Sequence, residues 1–227
     1  PGKEHETFTQ EDCLPILNAW KEQLYDKNGV APYAFVWDDG WDTYGEWQFH
    51  SGFPQGFTNM DNIGRQMGAG QGAWLGPVGG YGTSGGYRRG YWTSTKTGGM
   101  QLSNPLYYEV FVNAVTGLLR DKGYDFRFFK FDGISAQFSS VGPDAGATGN
   151  ENAEAIIMAE KVLRGIKEDV FLNTTVGTWA SPFWFQFTDA VWRQEKDYGE
   201  IGNNSNDREN WITYRDRLVY QNFVQNS

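Results

Sequence analysis

Histidine and cysteine are almost missing from this sequence. Its 227 residues hold two histidines, His5 and His50, and one cysteine, Cys13. A single cysteine excludes an intrachain disulfide and a Cys-rich metal site. Two histidines leave little for a Ser-His-Asp triad or a multi-histidine zinc site. Positive charge is scarce as well: 19 Lys and Arg stand against 28 Asp and Glu, a net charge of −9. A phosphate backbone needs a basic patch, so nucleic acid is not expected as a partner. Arg88-Arg89 is the only basic pair and reads as a solvated loop. No run of 18 apolar residues occurs, so no membrane-spanning helix is expected. No GxxxxGK[ST] occurs, and no GxGxxG follows a strand and opens a helix. A phosphate- or nucleotide-binding α/β domain would need such a cradle. The chain begins at Pro1 without a signal-peptide pattern and stops at Ser227, at a helical pattern. It reads as a fragment of a longer protein, which would be secreted or periplasmic if a signal peptide lies upstream.

What is present is aromatic and glycine-rich: ten Trp and 29 Gly. A 39% hydrophobic content suits one sizeable core, and residues 1–227 read as a single domain. Helix and strand signals alternate. Asp12 is the expected cap of a helix over 13–27 that Gly29 ends. PYAFVW (32–37) and GAWLGPV (72–78) read as buried strands. Residues 64–92 read as a long Gly-rich loop region. Asn104, Pro105 and Gly123 bracket a helix, with Leu106, Val110, Ala114 and Leu118 along one face. FRFFKF (126–131) is the third strand. A helix starts at Asn150 or Asn152, and DVFLNTT (169–175) and TDAVWRQ (188–194) follow as strands. Asn206 with Glu209 predicts a last helix over 207–226.

Apolar strands alternating with helices predict an α/β fold with parallel strands under outer helices. A doubly wound sheet and a (β/α)8 barrel both fit that pattern. Asp38-Asp39, Lys130 with Asp132, and Arg193 all fall at C-terminal strand ends. In a barrel those ends converge on one face, which carries the active site. The expected fold is therefore a partial (β/α)8 barrel, because five strands cannot close one.

The charged residues carry the chemistry. Lys130 and Asp132 lie two apart and share a strand face. They form either a self-satisfied ion pair or a nucleophilic carboxylate beside a substrate-holding cation. Glycoside hydrolysis needs a second carboxylate, and WRQEKD (192–197) offers Glu195 and Asp197. An ordinary charged loop is the plain alternative. Asp38 and Asp39 can accept hydrogen bonds from vicinal hydroxyls, and Gly40 permits the turn between them. With Asp42 they lack the ligand ladder of a calcium loop, so no metal is expected, and no motif calls for a cofactor. Trp37, Trp41 and Trp74 are either stacking faces for a sugar or core residues.

Taken together, these motifs resemble the clan D glycoside hydrolases, families 27 and 36. These are retaining α-galactosidases and α-N-acetylgalactosaminidases on a (β/α)8 barrel. VWDDGW (36–41) resembles the second-strand motif, which implies that Asp38 and Asp39 hold sugar hydroxyls. FKFDG (129–133) resembles the fourth-strand motif. That implies Lys130 as a sugar contact and Asp132 as nucleophile. WRQEKD is similar to the family's Trp-Arg-x-x-x-Asp, implying Arg193 as substrate contact and Asp197 as acid/base. SPFWF (181–185) resembles a family 27 segment. On this register the five strands are the family's second to sixth. The first strand and the last two lie outside the chain. The resemblance spans about residues 10 to 200. The fifth-strand cysteine motif of the family is absent, and Asn173, Thr174 or Thr178 stand in that region. The implied partner is a carbohydrate with a terminal α-linked galactose or N-acetylgalactosamine. The Asp132 and Asp197 carboxyls are expected roughly 5–6 Å apart. A carbohydrate-binding barrel without catalysis, or an α-glycosidase for another sugar, is the alternative.

Overall fold

A computed structural model of the chain describes residues 8–96, 99–134, 145–175, 182–191 and 207–214. Five strands form one sheet: β1 (Ala34–Trp37), β2 (Gly70–Leu75), β3 (Phe126–Phe131), β4 (Phe171–Thr174) and β5 (Ala190–Val191). All pair in parallel, and each lies beside its predecessor in the chain. A doubly wound sheet would change direction at a switch point. Sequential order is instead the arrangement of a (β/α)8 barrel wall, and this sheet is part of one.

The helical segments are α1 (Gln10–Trp20), α2 (Asp26–Asn28), α3 (Thr58–Gln66), α4 (Gly82–Thr95), α5 (Pro105–Arg120), α6 (Ala145–Ile166) and α7 (Asp207–Tyr214). α1 runs through a π-helical turn, Lys21–Tyr25, into α2. Its cap is Thr9, not Asp12. Asp12 lies inside the first turn and accepts the Thr9 backbone N–H at 2.7 Å, as a capping-box carboxylate does. Gly29 ends α2 in the left-handed region, at φ 69°. Asn104 caps α5 as expected, accepting the Leu106 N–H at 3.2 Å. The buried seam of α5 is Tyr107, Phe111, Ala114, Val115 and Leu118, while Leu106 is exposed. A strict four-residue repeat drifts off a helix of 3.6 residues per turn, so the expected stripe leaves the core at its first end.

Three expectations are corrected. The stretch 64–92 is not a loop: it holds the end of α3, all of β2 and most of α4. Neither Asn150 nor Asn152 starts α6, which begins at Ala145. Asn152 is a buried residue accepting the Ser103 N–H at 2.7 Å. Arg88 is not solvated but has no exposure at all. The described part of the short crossover between β4 and β5 contains a 3-10 turn, Pro182–Gln186. Asn206 lies outside the described residues.

The sheet has two unlike faces. Phe35, Trp37, Phe129, Phe131 and Leu172 are buried. Phe131 packs on Phe111 of α5 at 5.8 Å, and Phe35 on Trp20 of α1 at 5.8 Å. Val36, Phe128, Lys130, Phe171 and Asn173 alternate with them and are half-buried. On that inner face the residues align in rows across the strands. Val36, Gly72, Phe128 and Phe171 form one row; Trp74, Lys130, Asn173 and Ala190 form the next. Gly72 has to be glycine, because a Cβ there would lie 2.7 Å from the Phe128 Cβ. Losing that side chain lets Val36 and Phe128 close over β2.

Candidate active site

The site stands at the C-terminal ends of β1, β2, β3 and β4. β1 runs into Asp38 and Asp39, and Gly40 takes the turn with φ 121°. The Asp38 carboxylate accepts the Asp39 N–H at 2.8 Å and the Lys130 ammonium at 2.7 Å. Lys130 therefore reaches across β2 to Asp38, and no ion pair joins it to Asp132 among the described residues. Asp38 is 64% exposed and Lys130 28%, so this pair faces solvent. His50 is structural. Its Nδ1 accepts the Gly52 N–H at 2.9 Å, which leaves Nε2 to donate to the Gly40 carbonyl at 2.9 Å. The imidazole thus pins the Asp38–Gly40 turn.

Asp132 follows β3 by one residue and is 9% exposed. Four donors meet its carboxyl group. Oδ2 accepts the Trp74 indole N–H at 2.9 Å. Oδ1 accepts its neighbour Gly133 N–H at 2.8 Å, the Tyr81 hydroxyl at 3.1 Å and the Thr175 hydroxyl. The indole and the amide can only donate, so the carboxyl is held as an acceptor on both oxygens. Its neighbours come from three separate strand ends: Trp74 from β2, Gly133 from β3 and Thr175 from β4. Asn173 lies beside Lys130 in register, half-buried on the inner face.

The tryptophans take the other of their two expected fates. Trp41 and Trp74 are buried and offer no open face for stacking. The Trp41 indole donates to the Trp74 carbonyl at 2.9 Å and packs at 5.7 Å from Phe57. Trp37 is in the core, donating to Gln71 Oε1 at 2.9 Å. Trp74 still serves the site, through its N–H and not its face.

Asp39 and Asp42 meet a cation that sequence reasoning placed elsewhere. Arg88 of α4 donates through Nη2 to Asp39 Oδ1 at 2.5 Å. Its Nε and Nη2 grip Asp42 at 2.9 and 2.5 Å, and Nη1 donates to the Gly79 carbonyl at 2.9 Å. Burial opposes the guanidinium charge, but Asp42 and Asp39 outweigh it and raise its pKa further. Asp42 is thus the anchor of a buried ion pair. Among the described residues, no group of three or more His, Cys, Asp or Glu could hold a metal ion. Also among them, no helix is long and apolar enough to cross a membrane. Arg193, Glu195, Asp197 and Thr178 lie outside the described residues.

Tyr81, Thr175 and Arg88 were not singled out from the sequence for the site. Thr175 had a usable signal, two residues beyond Asn173 on the same strand face. Tyr81 and Arg88 had none, because α4 was read as loop.

The structure is similar to solved GH36 α-galactosidases over most of this chain. Against AgaB of Geobacillus stearothermophilus the identity is 15% and the TM-score 0.57. That match covers 83% of this chain and 28% of that one. Against the galactosidase domain of the α-galactosidase-sucrose kinase AgaSK the values are 16% and 0.57, covering 90% and 29%. Against an AgaA variant of G. stearothermophilus, solved with 1-deoxygalactonojirimycin, they are 13% and 0.58, covering 90% and 30%. The likeness is one of fold: this chain has the architecture of part of a (β/α)8 barrel, as those enzymes do. It spans less than a third of the length of these enzymes. No family model matches the chain, and no curated protein matches it.

Proposed function

We propose that the chain carries the catalytic face of a retaining α-glycosidase that removes terminal α-linked galactose or N-acetylgalactosamine. One observation carries this reading: a carboxyl at a barrel strand end, held by four donors, with a solvent-facing Lys130–Asp38 pair beside it. The fold supports the class of chemistry, since GH36 α-galactosidases share it. Variants of one of them, AgaA, are solved with 1-deoxygalactonojirimycin, a galacto-configured iminosugar, and with stachyose.

In this mechanism Asp132 attacks the anomeric carbon and forms a glycosyl-enzyme. Oδ1 already meets three donors, whereas Oδ2 meets one and keeps a free lone pair. Oδ2 is therefore the attacking atom. The three donors on Oδ1 then stabilise the carboxylate as the leaving group of the second step. Asp197 protonates the departing glycosidic oxygen, and afterwards takes a proton from the water that releases the sugar. Lys130, Asp38, Asp39, Asn173 and Arg193 bind hydroxyls of the sugar. No cofactor enters any step.

The test is a panel of aryl α-galactoside, α-N-acetylgalactosaminide and α-glucoside, assayed with the full-length protein and its Asp132→Asn variant. The reading predicts turnover of at least one galacto-configured substrate, reduced by at least about 1000-fold in the variant. Turnover that survives Asp132→Asn contradicts the assignment. Sugar binding without any turnover in the unmodified protein marks a binding barrel instead.

A further inference from the structure

Arg88 is more heavily engaged than a structural ion pair requires. Its guanidinium has no solvent exposure and already meets Asp42 through two N–H groups. Asp42 is equally buried, so these two charges satisfy each other. Tyr44, Trp47 and Trp74 surround the cation at 5.0, 4.9 and 5.1 Å from their ring centres. The enclosure holds even Trp47, a bulky residue at φ 55°, whose indole donates to the Tyr107 hydroxyl at 3.1 Å. Within this closed shell Arg88 spends a further bond on Asp39, whose side chain is 27% exposed. Among the described residues, no other hydrogen bond of Arg88 reaches the open Asp38–Gly40 turn.

We propose that Arg88 is a positioning residue that sets the specificity of Asp39. It takes Oδ1 and turns the carboxylate so that Oδ2 alone faces the ligand. Asp39 then reads one sugar hydroxyl and does not clasp a vicinal pair. Asp38 is held differently, through both oxygens: Oδ1 meets the Asp39 N–H and Oδ2 meets Lys130. Each aspartate of the turn thus has a fixed orientation before the ligand arrives, which removes an ordering cost from binding. Lysine could supply the charge of Arg88 but not its planar fork, so the fork is the feature that matters. The inference rests on the glycosidase reading above, and it names the group that sets which hydroxyls that site accepts.

The experiment uses the full-length protein, an aryl α-galactoside, and the variants Arg88→Lys, Asp39→Asn and their combination. Arg88→Lys is expected to raise KM roughly tenfold, the loss of one charge-assisted orientation, while kcat changes far less. Asp39→Asn is expected to raise KM similarly, and the double variant to exceed it by no more than about twofold. KM effects that multiply in the double variant overturn the proposal. So does an Arg88→Lys protein with unchanged KM and only a lower titrated active fraction. Arg88→Lys can fail to fold, so a crystal structure of the unmodified protein with the galacto-configured iminosugar gives a second decision. Asp39 Oδ1 on Arg88 with one hydroxyl on Oδ2 supports the proposal. Asp39 turned away from Arg88, with both oxygens on neighbouring hydroxyls, overturns it. The two readings fail differently. An unmodified protein that turns over no aryl glycoside and binds no iminosugar sinks the glycosidase reading and this inference with it. An active protein silenced by Asp132→Asn, but with Asp39 turned away, sinks only the inference.

Discussion

Asp132 gathers its partners from three strand ends, and each bond has a separate cost of removal. The most informative is the Trp74 indole N–H, because among the described residues it alone donates to Oδ2. Trp74→Phe keeps an aromatic ring against Trp47 and removes that donor. In the mechanism above, kcat is expected to fall about tenfold, the value of one hydrogen bond to a charged group. KM and the circular-dichroism spectrum are expected to change little. A pure packing role for Trp74 would lower the melting temperature and leave kcat per folded molecule intact. At this scale the sequence was legible where chemistry and position agreed. Lys130 and Asp132 were legible as two charges closing an aromatic strand, and both lie at the C-terminal end of β3, where the proposed site stands. Their partners were not legible. Lys130 pairs with Asp38, 92 positions away, and Asp132 with Trp74, 58 positions away. Spacing along one strand says nothing about which neighbour lies across the sheet. Trp41 and Trp74 read equally well as sugar platforms or core, and only packing decides between those.

Among the elements, α6 hides a carboxyl with no partner. Glu160 has no exposure, and neither oxygen of its side chain meets a donor. Burial is the main cause that pushes its pKa up to about 8; Arg164 lowers it and Asp189 raises it. The native protein keeps this proton up to about pH 8, whereas the unfolded chain releases it near 4.5, the ordinary value for glutamate. Between those values the native state binds more protons, so stability falls as pH rises and then levels off. The slope is at most about 1.4 kcal/mol per pH unit. Glu160→Gln cannot ionise and is expected to flatten the melting temperature between pH 5 and about 8, with the largest gain at the alkaline end. Melting curves of both proteins across that range check it. Helix ends with caps and glycine stops were readable: Asn104 and Pro105 open α5, and Gly29 closes α2. α4 was not readable. Its inward positions are Gly85, Arg88 and Trp92, spaced as a helix spaces them. Two of the three are not apolar, so the periodicity carried no hydrophobic signal. The same gap concealed Arg88 on α4 and Tyr81 at its N-cap, which bond to Asp39 and Asp132.

For the whole molecule, strand order matters more than strand content. Alternating helix and strand signals fit two architectures, and only the sequential parallel order separates them. That order turns five strand ends into one wall, bringing Asp38, Asp39, Lys130, Asp132 and Thr175 together from across 138 positions. The polar residues at strand ends anticipated this convergence, because scattered charges on buried strands need a common destination. The net charge of −9 also belongs to this scale, and it suits a neutral ligand such as a sugar better than a phosphate. The central claim is that Asp132 forms a covalent bond to a sugar. Incubating the full-length protein with a fluorinated α-galactosyl fluoride, then mapping its peptides by mass spectrometry, tests this directly. The account predicts one sugar per chain, attached to the peptide containing Asp132 and absent after Asp132→Asn. A label on another carboxylate, or a catalytically active protein that takes up none, would contradict it.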